Sequence, residues 1–229
     1  MAHESDVGFR VVREIERPSR DVLALFDGVE STQVSDAMHR FLGMDGDIKP
    51  VGEGMRVVGP AVTVRARAGD NLMVYAALDV AEPGDVIVIE TRRHLVTAVW
   101  GDLVSMAARE LGIGGMVTDG VIRDRAGVID VGVPVFATGD DAPQGAYKDG
   151  PGEVNTPIAC GGVPVLPGDV IVADANGVVV VPRADAEAVA RSAQAILANE
   201  ETRVASITGG TPVAESVREA LREKGCRLG

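Results

Sequence analysis

The sequence has little cysteine, little lysine, a deficit of positive charge and no long apolar run, and each shortage closes a route. Cys160 and Cys226 are the only cysteines in 229 residues. Neither belongs to a CxxC or has a histidine beside it, so buried or idle thiols are expected rather than a thiolate metal site or a disulfide framework. No apolar stretch reaches the roughly 20 residues of a membrane span, and the opening Met-Ala-His-Glu-Ser-Asp has neither a basic region nor an apolar signal core. The expectation is a cytoplasmic protein with no membrane partner. Lys and Arg number 22 against 34 Asp and Glu, a formal net charge of −12, and the cations are scattered rather than striped. A nucleic-acid partner is therefore not expected. An anionic small substrate would need a local cationic contact instead.

Lysine is the scarcest charged residue, with only Lys49, Lys148 and Lys224. Lys49 stands between Asp47-Ile48 and Pro50, Lys148 in a polar loop and Lys224 in a charged terminal segment. None has the apolar setting that would lower its pKa for Schiff-base chemistry. Whole motifs are missing too: there is no GxGxxG, Walker loop, HExxH or GxSxG, and Gly112-x-Gly114-Gly115 lacks the Lys-Ser/Thr ending of a phosphate loop. His3, His39 and His94 stand alone, which reads as surface or helix positions rather than zinc ligands.

What is present is enough apolar residue, 46%, for a substantial core, and one domain with appendages is expected. The patterning predicts helices over 18–29 and 31–42, the second capped by Ser31, then a strand over 57–66, a helix over 70–81 and a buried strand over 85–90. A helix over 95–111 ends near Gly112, and a strand over 114–118 leads into a turn at Asp119-Gly120. Short strands follow at 157–159, 163–165, 169–173 and 177–181, the last after a hairpin turn at Asn176-Gly177, and a long helix covers 184–205. The loop 139–156 is the candidate mobile or interface segment. PGDVIV occurs at 83–88 and again at 167–172, which reads as two similar turn-strand corners rather than a duplication. Periodicity alone reaches a mixed α/β fold with one core.

The informative stretch is WGDLVSMAARELGIGGMVTDGVIRD at 100–124. Asp102 falls at a helix start, where outward N–H groups favour an anion, and Arg123 and Asp124 follow a strand in the kind of loop that carries function in α/β proteins. A helix cap and an exposed ion pair would explain the same residues.

At these positions the chain resembles the RraA-like family, which contains the 4-hydroxy-4-methyl-2-oxoglutarate and 4-carboxy-4-hydroxy-2-oxoadipate aldolases. Those aldolases carry Asp, twenty residues, then Arg-Asp; here Asp102 is followed by 103–122 and then Arg123-Asp124. The likeness also covers Ser31-Thr32-x-x-Ser35-Asp36-Ala37, Gly59-Pro60-Ala61, Asp119-Gly120 and GEVNTPIACGGVPVLPGDVIVADANGVVVVP at 152–182. It fades after 203, which divides the chain into a domain over 1–205 and a C-terminal helical tail over 206–229.

The resemblance implies a layered α/β domain of the swivelling β/β/α type, assembled as a homotrimer or homohexamer. It implies that Asp124 binds a divalent cation, Mg²⁺ or Mn²⁺, and that Asp102 holds a metal-linked water. Arg123, with the backbone amides of Gly101, Asp102, Leu103 and Val104, would hold the carboxylate of a pyruvate moiety. Glu200 or Glu201 of a neighbouring subunit would match an acidic residue that helps the site. The implied reaction is retro-aldol release of pyruvate from a small keto acid, with oxaloacetate decarboxylation as a side activity. Other members of the family are protein inhibitors of RNase E; they keep the Arg-Asp pair but lack the upstream Asp, so Asp102 favours the enzyme. A methyltransferase role, also attached to relatives of this fold, would need a Gly-rich nucleotide loop that is missing here.

Overall fold

The computed structural model describes residues 5–227, so His3 lies outside it. Its elements begin with β1 (Phe9–Val11), α1 (Arg20–Ala24), α2 (Ser31–Ala37) and β2 (Lys49–Pro50). Next come β3 (Val57–Ala66), α3 (Leu72–Leu78), β4 (Val86–Glu90), β5 (Thr97–Ala98), α4 (Asp102–Glu110), β6 (Gly115–Val121) and α5 (Arg125–Val131). The second half runs through β7 (Val135–Gly139), β8 (Gln144–Gly145), β9 (Gly152–Val154), β10 (Ile158–Cys160), β11 (Val163–Val165), β12 (Val170–Asp174) and β13 (Gly177–Val181). A 3-10 turn over Arg183–Asp185 leads into α6 (Ala186–Thr208), and α7 (Glu215–Glu223) follows. The long helix thus carries through residue 205 to Thr208, and α7 buries no residue.

The strand order is β1-β9-β3-β4-β6-β7-β2, with β3, β4, β6 and β7 parallel. Strands buried on both faces read as continuous apolar runs, and Val86-Ile87-Val88-Ile89 is one. Ile87 and Ile89 pack with Val62, Val64, Val74, Trp100 and Val128 under α3–α5. Val86 and Val88 turn the other way, onto Val117, Phe136, Ile171 and Val180. A third cluster joins Val170, Val172 and Val179 to Phe26, just after α1, to Val34 of α2 and to Ala190 of α6. The helix/sheet/strand/helix layering is the α/β arrangement expected of the RraA-like fold.

Several boundaries differ from the sequence reading. The first helix is five residues long, and α2 stops at Ala37 because His39 and Arg40 adopt left-handed φ of 56° and 67°. Ser31 is not the cap of α2. Glu30 is, in a reciprocal box with Gln33, while the Ser31 hydroxyl and N–H both donate to Asp174, at 2.7 and 2.6 Å. The helix expected over 95–111 begins only at Asp102, since Val99 N–H donates to Val121 O and Trp100 bridges Ile122, which holds 97–100 extended. Cross-strand pairing overrides the helical spacing of the apolar residues there. Asp119-Gly120 is not a turn but part of β6, with Asp119 buried. The segment expected as a loop over 139–156 contributes β9 to the main sheet.

The two PGDVIV copies are the same corner used twice. Gly84 and Gly168 take φ of 93° and 84°, and each following Asp accepts an N–H three residues back, Glu82 at 2.7 Å and Leu166 at 2.9 Å. Both resulting strands, β4 and β12, pair with β3.

Candidate active site

The site forms where β6 leaves the sheet. Ile122 N–H donates to Gly139 O at 2.9 Å and Arg123 N–H to Trp100 O at 3.1 Å, so the backbone entering the Arg-Asp pair is held from both sides. Asp124 then takes a left-handed φ of 55° at the start of α5 and makes no side-chain cap. For a non-glycine residue that conformation costs about 1–3 kcal/mol and is kept where the surroundings impose it. Its carboxylate is half-exposed, 3.2 Å from Arg123 Nε.

Asp102 is the first residue of α4, with extended Gly101 as N-cap. The N–H groups of Asp102, Leu103 and Val104 precede any intrahelical acceptor. Leu103 N–H donates to Asp102 Oδ1 at 2.7 Å, so one of the amides expected to receive a substrate carboxylate is engaged by Asp102 itself.

Three glycines bring these groups together. A Cβ at Gly101 would fall 2.9 Å from Asp124 Oδ2, one at Gly127 2.8 Å from Asp102 Cβ, and one at Gly145 2.3 Å from Arg123 Nη1. Each functional side chain therefore lies so close to a glycine that a Cβ there would displace it. The resulting cleft, about 390 Å³, is lined by Asp102, Arg123 and Asp124 and also by Asn71, Tyr75 and Lys148. The buried Trp100 lines it too and donates from Nε1 to Ser105 Oγ at 2.7 Å. Asn71 donates to Val99 O at 3.2 Å, while its buried Oδ1 has no partner among the described residues.

Gly127, Gly145, Asn71, Tyr75, Trp100 and Lys148 were not singled out as site residues from sequence. Asn71, Tyr75, Gly145 and Lys148 come from elements distant in the chain, whereas Trp100 and Gly127 flank the motif residues without a side chain that marks them as functional. Lys148 does lie in a polar loop as expected, but that loop borders the cleft. Glu200 accepts a hydrogen bond from Gln33 Nε2 at 2.7 Å, and neither it nor Glu201 lines the cleft within this chain.

A larger cleft, about 450 Å³, is lined by Arg65, Arg67, Arg92, Arg93 and His94 but by no carboxylate. Arg65 is engaged with Glu90 and Glu153, and Arg93 with Asp45 and Asp47. Buried Asp119 fixes the adjoining turn, accepting from Thr91 N–H and Oγ1 and from Arg93 N–H, and burial raises its pKa. With Arg65 and Arg93 spent on ion pairs and no carboxylate residue lining it, this cleft offers less chemistry than the smaller one. Cys160 is a buried thiol pushed well up by desolvation, and Cys226 is exposed.

Among the described residues no cluster of three or more His, Cys, Asp or Glu side chains has metal-site geometry. The cleft instead offers two carboxylates, Asp102 and Asp124, the second close against Gly101. Such a sparse oxygen set fits a hard cation that keeps several waters and takes further ligands from its substrate.

A carboxylate pair and a guanidinium thus meet in one cleft of an α/β domain, on the kind of loop and helix start where such proteins place functional groups. The chain belongs to the RraA-like family: the family model described as Aldolase/RraA matches residues 31–180. It is 42% identical over 201 residues, covering 88% of this chain and 95% of the other, to a Halalkalibacterium halodurans protein named "Putative 4-hydroxy-4-methyl-2-oxoglutarate aldolase". Among solved structures, an uncharacterized protein from Pseudomonas syringae aligns with a TM-score of 0.76 at 30% identity, over 86% of this chain and 96% of that one. Streptomyces coelicolor RraAS2, described as an unusual member of the RNase ES inhibitor RraA family, aligns with a TM-score of 0.75 at 30% identity, over 83% and 100%. No helix among the described residues is long and apolar enough to cross a membrane.

Proposed function

We propose that this protein is a divalent-metal-dependent aldolase that releases pyruvate from 4-hydroxy-4-methyl-2-oxoglutarate or 4-carboxy-4-hydroxy-2-oxoadipate, with oxaloacetate decarboxylation as a side activity. The observation that carries the reading is the meeting of Asp102 with Arg123 and Asp124 in one cleft, from two separate helix starts. The name of the 42% identical relative supports the same chemistry.

Asp124 would hold Mg²⁺ or Mn²⁺, and such a cation would supply electrophilic pull on the substrate's 2-keto oxygen. Arg123 grips the adjacent carboxylate with its planar fork, which aligns the C3–C4 bond in the cleft. Asp102, through a water, takes the proton from the C4 hydroxyl. The C4–O electrons then form the new carbonyl, the C3–C4 bond breaks, and its electron pair passes into the enolate of pyruvate. Reprotonation at C3 gives pyruvate. Oxaloacetate yields the same enolate on losing carbon dioxide, which accounts for the side activity.

The competing reading, inhibition of an RNase E type nuclease, draws on the likeness to RraAS2. Asp102 beside the Arg-Asp pair favours the enzyme. Assembly as a homotrimer or homohexamer, with Glu200 or Glu201 of a neighbouring subunit joining the site, belongs to the same proposal; light scattering tests it. The function itself is tested by a lactate-dehydrogenase-coupled assay with the two keto acids and oxaloacetate. Pyruvate from at least one aldol substrate is expected, and pyruvate from none would contradict the reading.

A further inference from the structure

The cleft has two cationic side chains, Arg123 and Lys148. Arg123 already faces Asp124 at 3.2 Å. Lys148 pairs with no carboxylate among the described residues; its Nζ lies 5.3 Å from the centre of the Tyr75 ring. A cation over an aromatic face within about 6 Å is attracted by the ring's negative face, which holds the ammonium in place.

The backbone around Lys148 is fixed as well. Tyr147 N–H donates to Gly69 O at 2.8 Å, Asn71 N–H to Tyr147 O at 2.9 Å, and Asp149 N–H to the buried Asp70 carboxylate at 2.6 Å. At the other end of the strip, Gly145 pairs with Ala98 and lies against Arg123. From Gly145 to Lys148 the chain can span at most about 10 Å. One short, anchored strip thus sets both cations on the same cleft.

We infer that Lys148, seated on Tyr75, receives a second carboxylate at the far end of the substrate, so that the site selects 2-keto acids that are anionic at both ends. The inference rests on the aldolase reading for which end is which, and it names the group that reads the substituent beyond C3. Tyr75 supplies the seat and Lys148 the charge. Lys148 is a specificity residue, not a nucleophile.

The test is calorimetric and needs no bond cleavage. 2-Oxoglutarate and 2-oxopentanoate share a five-carbon keto-acid chain and differ in a terminal carboxylate against a methyl group. With Mg²⁺ present, the wild type is expected to bind 2-oxoglutarate more tightly. Lys148→Met should weaken that binding about 10- to 100-fold, the range for losing one charged hydrogen bond, while leaving 2-oxopentanoate unchanged. Lys148→Arg should keep part of the preference. Equal affinities in the wild type, no binding of 2-oxoglutarate, or an unchanged preference in Lys148→Met would each overturn the inference. Pyruvate release by the wild type is measured separately, so failure of the aldolase reading and failure of the Lys148 role give different results.

Discussion

Gly145 lies against the Arg123 guanidinium so closely that a Cβ there would fall 2.3 Å from Nη1. Gly145 is exposed, in a two-stranded edge pairing, so its substitution leaves the core untouched. Gly145→Ala should displace the guanidinium and lower kcat/KM by about 10- to 100-fold, the scale set by ångström-sized misplacement of a binding group. Thermal unfolding should stay at the wild-type value. Full activity in the alanine variant would show that the guanidinium need not sit against this glycine.

Asp102 and Arg123 should report different steps. Asp102→Asn should lower kcat by roughly 10²–10⁴, as for loss of a general-base component, with less effect on binding. Arg123→Lys keeps the charge and loses the fork, so KM should rise more than kcat falls. Steady-state kinetics on the best keto-acid substrate separates the two. An Asp102→Asn variant with near-wild-type kcat would reduce Asp102 to a helix start and strengthen the regulator reading.

With Lys148 in the cleft, the Schiff-base alternative has a definite suspect. Sodium borohydride added during turnover should leave no pyruvate adduct on Lys148, Lys49 or Lys224 by mass spectrometry. An adduct on Lys148 would replace the metal-dependent mechanism.

The Asp174 carboxylate ties α2 to the β12–β13 hairpin, accepting from Ser31 N–H, Ser31 Oγ and Asn176 N–H. Burial alone would raise its pKa, but these hydrogen bonds outweigh it and hold the carboxyl below its ordinary value. A depressed folded-state pKa gives stability that is present above the unfolded value, about 3.9, and lost as pH falls through the folded one. In urea titrations, Asp174→Ala should cost about 1–3 kcal/mol near pH 6 by leaving buried donors unpaired, and the gap from wild type should narrow below about pH 4. A gap independent of pH would mean the charge contributes nothing to the tie.

Strands were the most legible part of the fold. β3 falls on the expected 57–66, and β11 and β13 also match, because alternating or continuous apolar runs bounded by Gly and Pro leave few alternatives. Helix ends were less legible. The start of α4 depends on Trp100 pairing with Ile122, a contact across more than twenty residues that no local pattern carries. The same holds for the site. Gly101, Asp102, Arg123 and Asp124 could be found from one motif, whereas Lys148, Tyr75 and Gly145 join them only through tertiary packing.

The most direct test of the metal-dependent aldolase is pyruvate release from 4-hydroxy-4-methyl-2-oxoglutarate after exhaustive EDTA treatment, followed by return of Mg²⁺ or Mn²⁺. With so few carboxylates to hold the ion, binding should be weak and exchange free, so activity should vanish on chelation and return with either cation. Full pyruvate release from the chelated protein would contradict the mechanism.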